Sequence, residues 1–407
     1  MERGGLILTG KERIETALNF RHSDRMPLAY EAEWEVTQAL VKEFNIDKLD
    51  LSVDQISSFH SPIGEREGIG LDHEIMLQRF LNVDLAKVAC PINPKKTIGN
   101  WFGLPICYKR DDGIMIGAWE MEFVEKEYQY GTYIEIGGYP LAGEEDIEVF
   151  KSWPMPDLDL YDYGLLAQVL PKHEGFYCIL NMNGCFDFSR YIRGTEDFLV
   201  DLVSEPIKAE ILMEKVNDFA MMYLDKCMEV GKGLIHGVYC GDDFGTQQGL
   251  LFSPEVFRKY MKPLYRKLVD KVHSYGLKYF HHTCGGVRPI IQDFIEIGFD
   301  VLNPIQPLAA GMEPEKLGQE FGKDIVFYGA IDEQRTLPYG TVDDVRRETR
   351  SRIETLGKNG NYIVAPSHGF QPDTPIRNIL AMYEEVLGNK PWEAAMARKG
   401  EGYGAIF

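Results

Sequence analysis

The 407-residue chain has no basic excess: 43 Lys and Arg stand against 63 Asp and Glu, a formal net charge of -20 at pH 7. That balance excludes attachment to nucleic acid or to an anionic membrane through bulk electrostatics, because both need an array of cations facing the phosphates. Long apolar runs are missing as well. No stretch approaches the roughly 18 apolar residues of a membrane span, and the opening M-E-R-G-G-L-I-L-T-G-K-E-R carries no apolar segment of signal-peptide length. The expectation is a cytoplasmic protein. Seven cysteines, Cys90, Cys107, Cys178, Cys185, Cys227, Cys240 and Cys284, form no C-x-x-C pair, and their number is odd, which fits free thiols better than disulfides. Nucleotide fingerprints are absent too: neither G-x-G-x-x-G nor G-x-x-x-x-G-K-[ST] follows any strand-like run.

What is present is a hydrophobic content of 44%, enough for a large core. Strand-like runs begin near residues 28, 84, 176, 234, 277, 299, 325 and 361, and most are separated by helical periodicity. Thr9 is placed to cap the first helix, Gly10 to Phe20. Eight strands alternating with helices predict a (β/α)8 barrel in one domain spanning residues 1–407, with a doubly wound open sheet as the runner-up. Between about residues 93 and 140 the pattern changes to short alternating runs with Gly and aromatic punctuation. This β-rich excursion reads as a β-hairpin insertion, too short for a core of its own, that lids or walls a site.

In such barrels the chemistry sits at the carboxyl ends of the strands. The stretch Y-F-H-H-T-C-G-G supplies His282 and Cys284 two residues apart, which on an extended chain face one volume. His368 follows the eighth run in A-P-S-H-G-F-Q-P-D-T-P. Together His282, Cys284 and His368 form a three-donor set that leaves one position of a tetrahedral zinc open. Asp243 and Asp242 are the candidate catalytic carboxylates, with Asp243 also a candidate fourth ligand. Glu31, Asn181, Asn303 and Gln306 are the candidate substrate contacts. Each has a structural alternative: Cys284 as a small buried hydrophobe, the two aspartates as turn caps, Asn303 as a shaper of the turn at Pro304, and Glu31 as a salt-bridge partner. His281 is expected to point away from His282.

The motifs G-K-E-R-I-E-T-A-L-N-F-R-H-S-D-R-M-P, R-G-T-E-D-F-L-V-D-L, G-D-D-F-G-T-Q-Q-G, H-T-C-G-G-V-R, F-Y-G-A-I-D-E-Q-R-T-L-P and A-P-S-H-G-F-Q-P-D-T-P resemble the uroporphyrinogen decarboxylase superfamily, and within it the branch of corrinoid-dependent methyltransferases. The resemblance spans nearly the whole chain and implies a (β/α)8 barrel. It also implies a zinc ion held by a His-x-Cys pair and a late Cys, a partner corrinoid (cobalamin) protein and a small methylated substrate. His282 and Cys284 match the pair, whereas His368 stands where those enzymes typically have Cys. Decarboxylases of the superfamily hold a many-carboxylate tetrapyrrole through an arginine-rich N-terminal segment. Here the corresponding M-P-L-A-Y-E-A-E-W carries Glu31 and Glu33 instead, and an acidic mouth repels that substrate.

One thiolate with two imidazoles leaves a zinc site with net positive charge, a stronger Lewis acid than a two-thiolate site and better suited to an oxygen leaving group. The expected activity is O-demethylation of a methyl ether, the methyl group passing to the corrinoid protein. The alternatives are a decarboxylase acting on uroporphyrinogen and a non-enzymatic barrel that binds a small ligand. Homo-oligomerisation is left open by the sequence.

Overall fold

The structure is a computed structural model that describes residues 8–44, 46, 71–101, 103–128, 131–390 and 392. At its centre seven parallel strands lie side by side in chain order in one curled sheet: β1 (Leu85–Val88), β2 (Tyr177–Asn183), β3 (Gly237–Gly241), β4 (Lys278–His282), β5 (Val301–Ile305), β6 (Val326–Ile331) and β7 (Tyr362–Pro366). Alternation along these strands sorts their side chains into two cores. Leu85, Tyr177, Ile179, Tyr239, Phe280, Val301, Tyr328 and Ile363 pack with one another on the concave face, joined by Ile14 and Leu18 of the helix Gly10–Leu18. Their strand neighbours Ala86, Cys178, Leu180, Val238, Cys240, Leu302 and Val364 belong to the larger core between the convex face and the helices. Burial on both faces explains why these strands read as nearly unbroken apolar runs.

Local signals set the connections. The Thr9 hydroxyl accepts the Glu12 N–H and the Glu12 carboxylate accepts the Thr9 N–H, a reciprocal cap that starts the first helix. Between β2 and β3 the chain runs through the helices Cys185–Arg193, Thr195–Ser204 and Pro206–Gly231, the last opened by proline, whose missing N–H costs nothing in a first turn. No helix among the described residues is long and apolar enough to cross a membrane.

The strand expected at Leu28–Glu31 is reduced to isolated parallel bridges, Leu28 with Val364 and Ala32 with Phe370. The Ala29 N–H donates to the Val364 carbonyl (3.0 Å) and the Asp84 N–H to the Leu28 carbonyl (2.8 Å). This segment therefore lies between the two edge strands β7 and β1. The strands Gly99–Trp101, Leu104–Lys109, Met115–Gly117, Glu122–Tyr128 and Gly131–Gly138 form a five-stranded antiparallel sheet in sequential order. It is larger than a hairpin. Its buried Leu104, Ile106, Met115 and Phe123 belong to the same large core as the helices, so it has no separate interior.

Candidate metal centre

His282 is the last residue of β4, and the turn after it is fixed by β5 and by the loop that follows β3. The Thr283 N–H donates to the Asn303 carbonyl (2.7 Å), the Phe244 N–H to the Thr283 hydroxyl (3.0 Å), and the Gly286 N–H to the Thr246 carbonyl (2.8 Å). The two loops touch backbone to backbone. A Cβ on Gly245 would sit 2.8 Å from the Cys284 carbonyl oxygen, one on Gly286 2.7 Å from the Ala310 carbonyl oxygen, and Gly285 has φ +86°. D-D-F-G and H-T-C-G-G thus carry glycine because side chains would push the loops apart.

On the concave face the imidazole of His282 is held from behind. Its Nδ1 lies 2.8 Å from Asn303 Oδ1 and 2.7 Å from the Tyr239 hydroxyl, which itself donates to Asn303 Oδ1 at 2.7 Å. With the phenol proton given to Asn303, Nδ1 carries the imidazole proton and Nε2 presents a lone pair. That Nε2 is 3.6 Å from Cys284 Sγ. His368 enters from the turn after β7, its ring centroid 6.2 Å from that of His282. One donor atom from each of His282, Cys284 and His368 lies within 4.8 Å of the other two, the one such group of three His, Cys, Asp or Glu among the described residues.

This donor set fits a zinc ion. Ligand atoms about 2.0–2.3 Å from a tetrahedral zinc sit roughly 3.5 Å apart, so rotation of partly buried side chains closes the set. Burial pushes the Cys284 thiol well above its ordinary range, and Asp243 reinforces the shift. Burial pushes His282 down, with Asp243 opposing and His368 adding to the fall. Both shifts favour the neutral thiol and the neutral His282 imidazole, and an ion binding them must displace the thiol proton.

The two adjacent aspartates part company. Asp243 Oδ1 accepts the Cys284 N–H (2.9 Å) and lies 3.7 Å from His282 Nε2, with the side chain partly exposed. Asp242 is fully buried in the wall, where it accepts the Asp187 N–H (2.6 Å) and the Tyr265 hydroxyl, and burial raises its carboxyl well above the usual range. A side chain on Gly184 would overlap that carboxylate.

A family model for uroporphyrinogen decarboxylase (URO-D) matches residues 139–388, well over half the chain, from before β2 to beyond His368. The chain belongs to the URO-D family. This URO-D chain is 29% identical over 180 residues to the methylcobamide:CoM methyltransferase MtaA of Methanosarcina barkeri, covering 43% of the chain and 49% of that protein. It is 27% identical over 174 residues to a uroporphyrinogen decarboxylase of Thermus thermophilus, covering 42% and 46%. The chain thus spans about half the length of these curated relatives. A solved methyltransferase from Methanosarcina mazei shares the fold with TM-score 0.61 at 16% identity, over 97% of this chain and 100% of that one.

The remaining candidates of this URO-D chain have mixed placements. Asn303 holds His282, and Gln306 is occupied by the Gly285 N–H, which its Oε1 accepts at 2.8 Å. Asn181 is buried within β2, beside Gly103 between the first two strands of the antiparallel sheet, and lines a cleft of about 420 Å³, open mouth included, with Trp119, Phe219 and Tyr223. Glu31 pairs with Lys87 at 2.9 Å; burial pushes its carboxyl up, but Lys87, the Tyr328 hydroxyl and His282 together bring it below its ordinary value. His281 is fully buried on the other face, stacked against Phe244 and near Phe299.

Sequence reading passed over Lys87 and Asp187. Asp187 accepts the Asp243 N–H (3.1 Å) and Arg190 Nε (2.8 Å). Burial pushes its carboxyl up to about 6, Arg190 opposing and Asp243 adding. The D-F-S-R spacing, which brings an acid and a base together on one helix face, was the available signal.

Proposed function

We propose that this URO-D chain is a zinc-dependent methyltransferase that takes a methyl group from a small methylated substrate, a methyl ether, and passes it to a corrinoid protein. The observation that carries the reading is the convergence of His282, Cys284 and His368 donor atoms within 4.8 Å at the carboxyl end of the strands. We read the segment around Leu28 as the eighth stave, completing a (β/α)8 barrel whose mouth holds the site, and residues 93–140 as an inserted wall within a single domain. The likeness to a methylcobamide:CoM methyltransferase supports methyl transfer to or from a corrinoid.

Two imidazoles and one thiolate would hold the zinc with a net positive charge, and the ion would supply Lewis acidity beside the leaving group. The chain's own residues do the rest. Asn303 and Tyr239 fix the ring and proton of His282 so that Nε2 faces the site. As the methyl group passes to the reduced corrinoid, the electron pair of its bond to oxygen stays on oxygen, and Asp243, which borders His282 and Cys284 and reaches solvent, would relay a proton from solvent to that oxygen. Asp187 and Arg190 hold Asp243 by its backbone. Asp242 serves by keeping the loop and the helix Cys185–Arg193 together.

The test is a screen of methyl ethers, methanol and methylamines with reduced corrinoid, following methylation by its absorbance. Turnover of a methyl ether alone is expected. Turnover of methanol or methylamines alone would overturn the leaving-group assignment, and release of carbon dioxide from uroporphyrinogen without corrinoid would overturn the reaction class.

A further inference from the structure

We infer that Lys87, paired with Glu31, is a positioning residue for the metal centre and acts through the ring of Tyr239. The inference rests on the reading of His282 as a zinc ligand. Lys87 projects from β1 onto the concave face, and with β2 lying between β1 and β3 it reaches across to the ring of Tyr239 on β3. Its ammonium sits 3.7 Å from that ring's centroid and 5.7 Å from that of Tyr328. Glu31 Oε1 is 2.9 Å from the same ammonium, and the two side chains are only 15% and 14% exposed. At the far end of the ring, the Tyr239 hydroxyl touches His282 Nδ1 and Asn303 Oδ1. A continuous line of contacts therefore runs from Glu31 through Lys87 and Tyr239 to the imidazole.

Stability alone gives no reason for this pair. Buried ions pay a large desolvation cost, and apolar residues of the same volume commonly serve as well or better. A cation on the face of a tyrosine that is shut away from water does something an apolar residue cannot: it attracts the ring electrostatically and fixes its plane. Here the plane sets where the hydroxyl falls. In its present place the hydroxyl gives its proton to Asn303 and leaves Nδ1 protonated, so that Nε2 faces Cys284. A tilted ring would let the phenol compete for Nδ1 and free the imidazole to turn.

The experiment is a thermodynamic cycle on zinc affinity, read by competition with a chromophoric chelator. It uses the wild type, the Glu31→Gln/Lys87→Met variant, Tyr239→Phe, and the triple variant. Changing Glu31 and Lys87 together leaves no unpaired buried charge. Should that pair fold poorly by circular dichroism, Glu31→Gln/Lys87→Gln takes its place. Expected is a loss of about tenfold in zinc affinity for the paired variant, the scale of a residue behind a ligand, and a triple variant no weaker than Tyr239→Phe alone. Wild-type affinity in the paired variant, or losses that multiply in the triple, would overturn the inference and leave the zinc site standing. A wild-type chain that binds no zinc would overturn the site reading as well.

Discussion

Removing one oxygen from Tyr239 leaves His282 Nδ1 with Asn303 as its only partner among the described residues, since the hydroxyl is the other group within hydrogen-bond reach there. Tyr239→Phe is therefore expected to weaken zinc binding by about 10–100-fold while preserving the fold, as chelator competition would show. An unchanged affinity would mean that Asn303 alone fixes the ring. A second residue-scale consequence concerns buried histidines. Burial drives His281 well below its ordinary pKa and His173 down to about 4. Near pH 6 and below, the unfolded chain takes up protons that the folded chain refuses, so stability falls as pH drops from the ordinary histidine value toward 4. Each such group contributes up to about 1.4 kcal/mol per pH unit. His281→Phe should flatten the fall in urea midpoint between pH 7 and pH 5, and an unchanged slope would show that other groups dominate acid sensitivity. His281 was legible as a structural residue because alternation turned it away from His282.

At the scale of elements, the strands were readable because both faces of the sheet are covered, so each appears as a short apolar run between turn signals. The segment at Leu28 read as a strand but makes only bridges, because its pairing is shared between two edges and broken by the turn into the helix Trp34–Glu43. Lys87 was not legible: alternation sets it on the concave face with Leu85, but a lysine in a strand reads as a solvated residue, and nothing in the sequence pairs it with Glu31. Asp242 and Asp243 both read as catalytic candidates, with Asp243 also a candidate ligand, yet the first turns into the wall and only the second borders His282 and Cys284. The loops explain their own glycines. Gly285→Ala places a side chain at φ +86° against the backbone of Gly245 and Thr246, a cost of about 1–3 kcal/mol. We expect that variant to lose zinc while retaining its far-ultraviolet circular dichroism, and retention of full zinc affinity would show that the loops can part without moving Cys284.

At the scale of the whole molecule, the three donors come from the end of β4, the turn after it, and the turn after β7, so an ion bound there joins distant parts of the sheet. Binding to the folded chain alone stabilises it, by about 2.7 kcal/mol at a free concentration 100 times Kd. Zinc should therefore raise the thermal midpoint of the wild type, and a chelator should reverse the rise. The antiparallel sheet shares the same core. Methyl transfer as proposed depends on a metal held by His282, Cys284 and His368. The most direct measurement is elemental analysis of zinc in the purified wild type and in the His282→Ala, Cys284→Ala and His368→Ala variants after identical zinc loading and desalting. One zinc ion per chain is expected in the wild type and a large loss in each variant. Zinc retained undiminished in all three, or absent from a wild type that still transfers methyl groups, would contradict it.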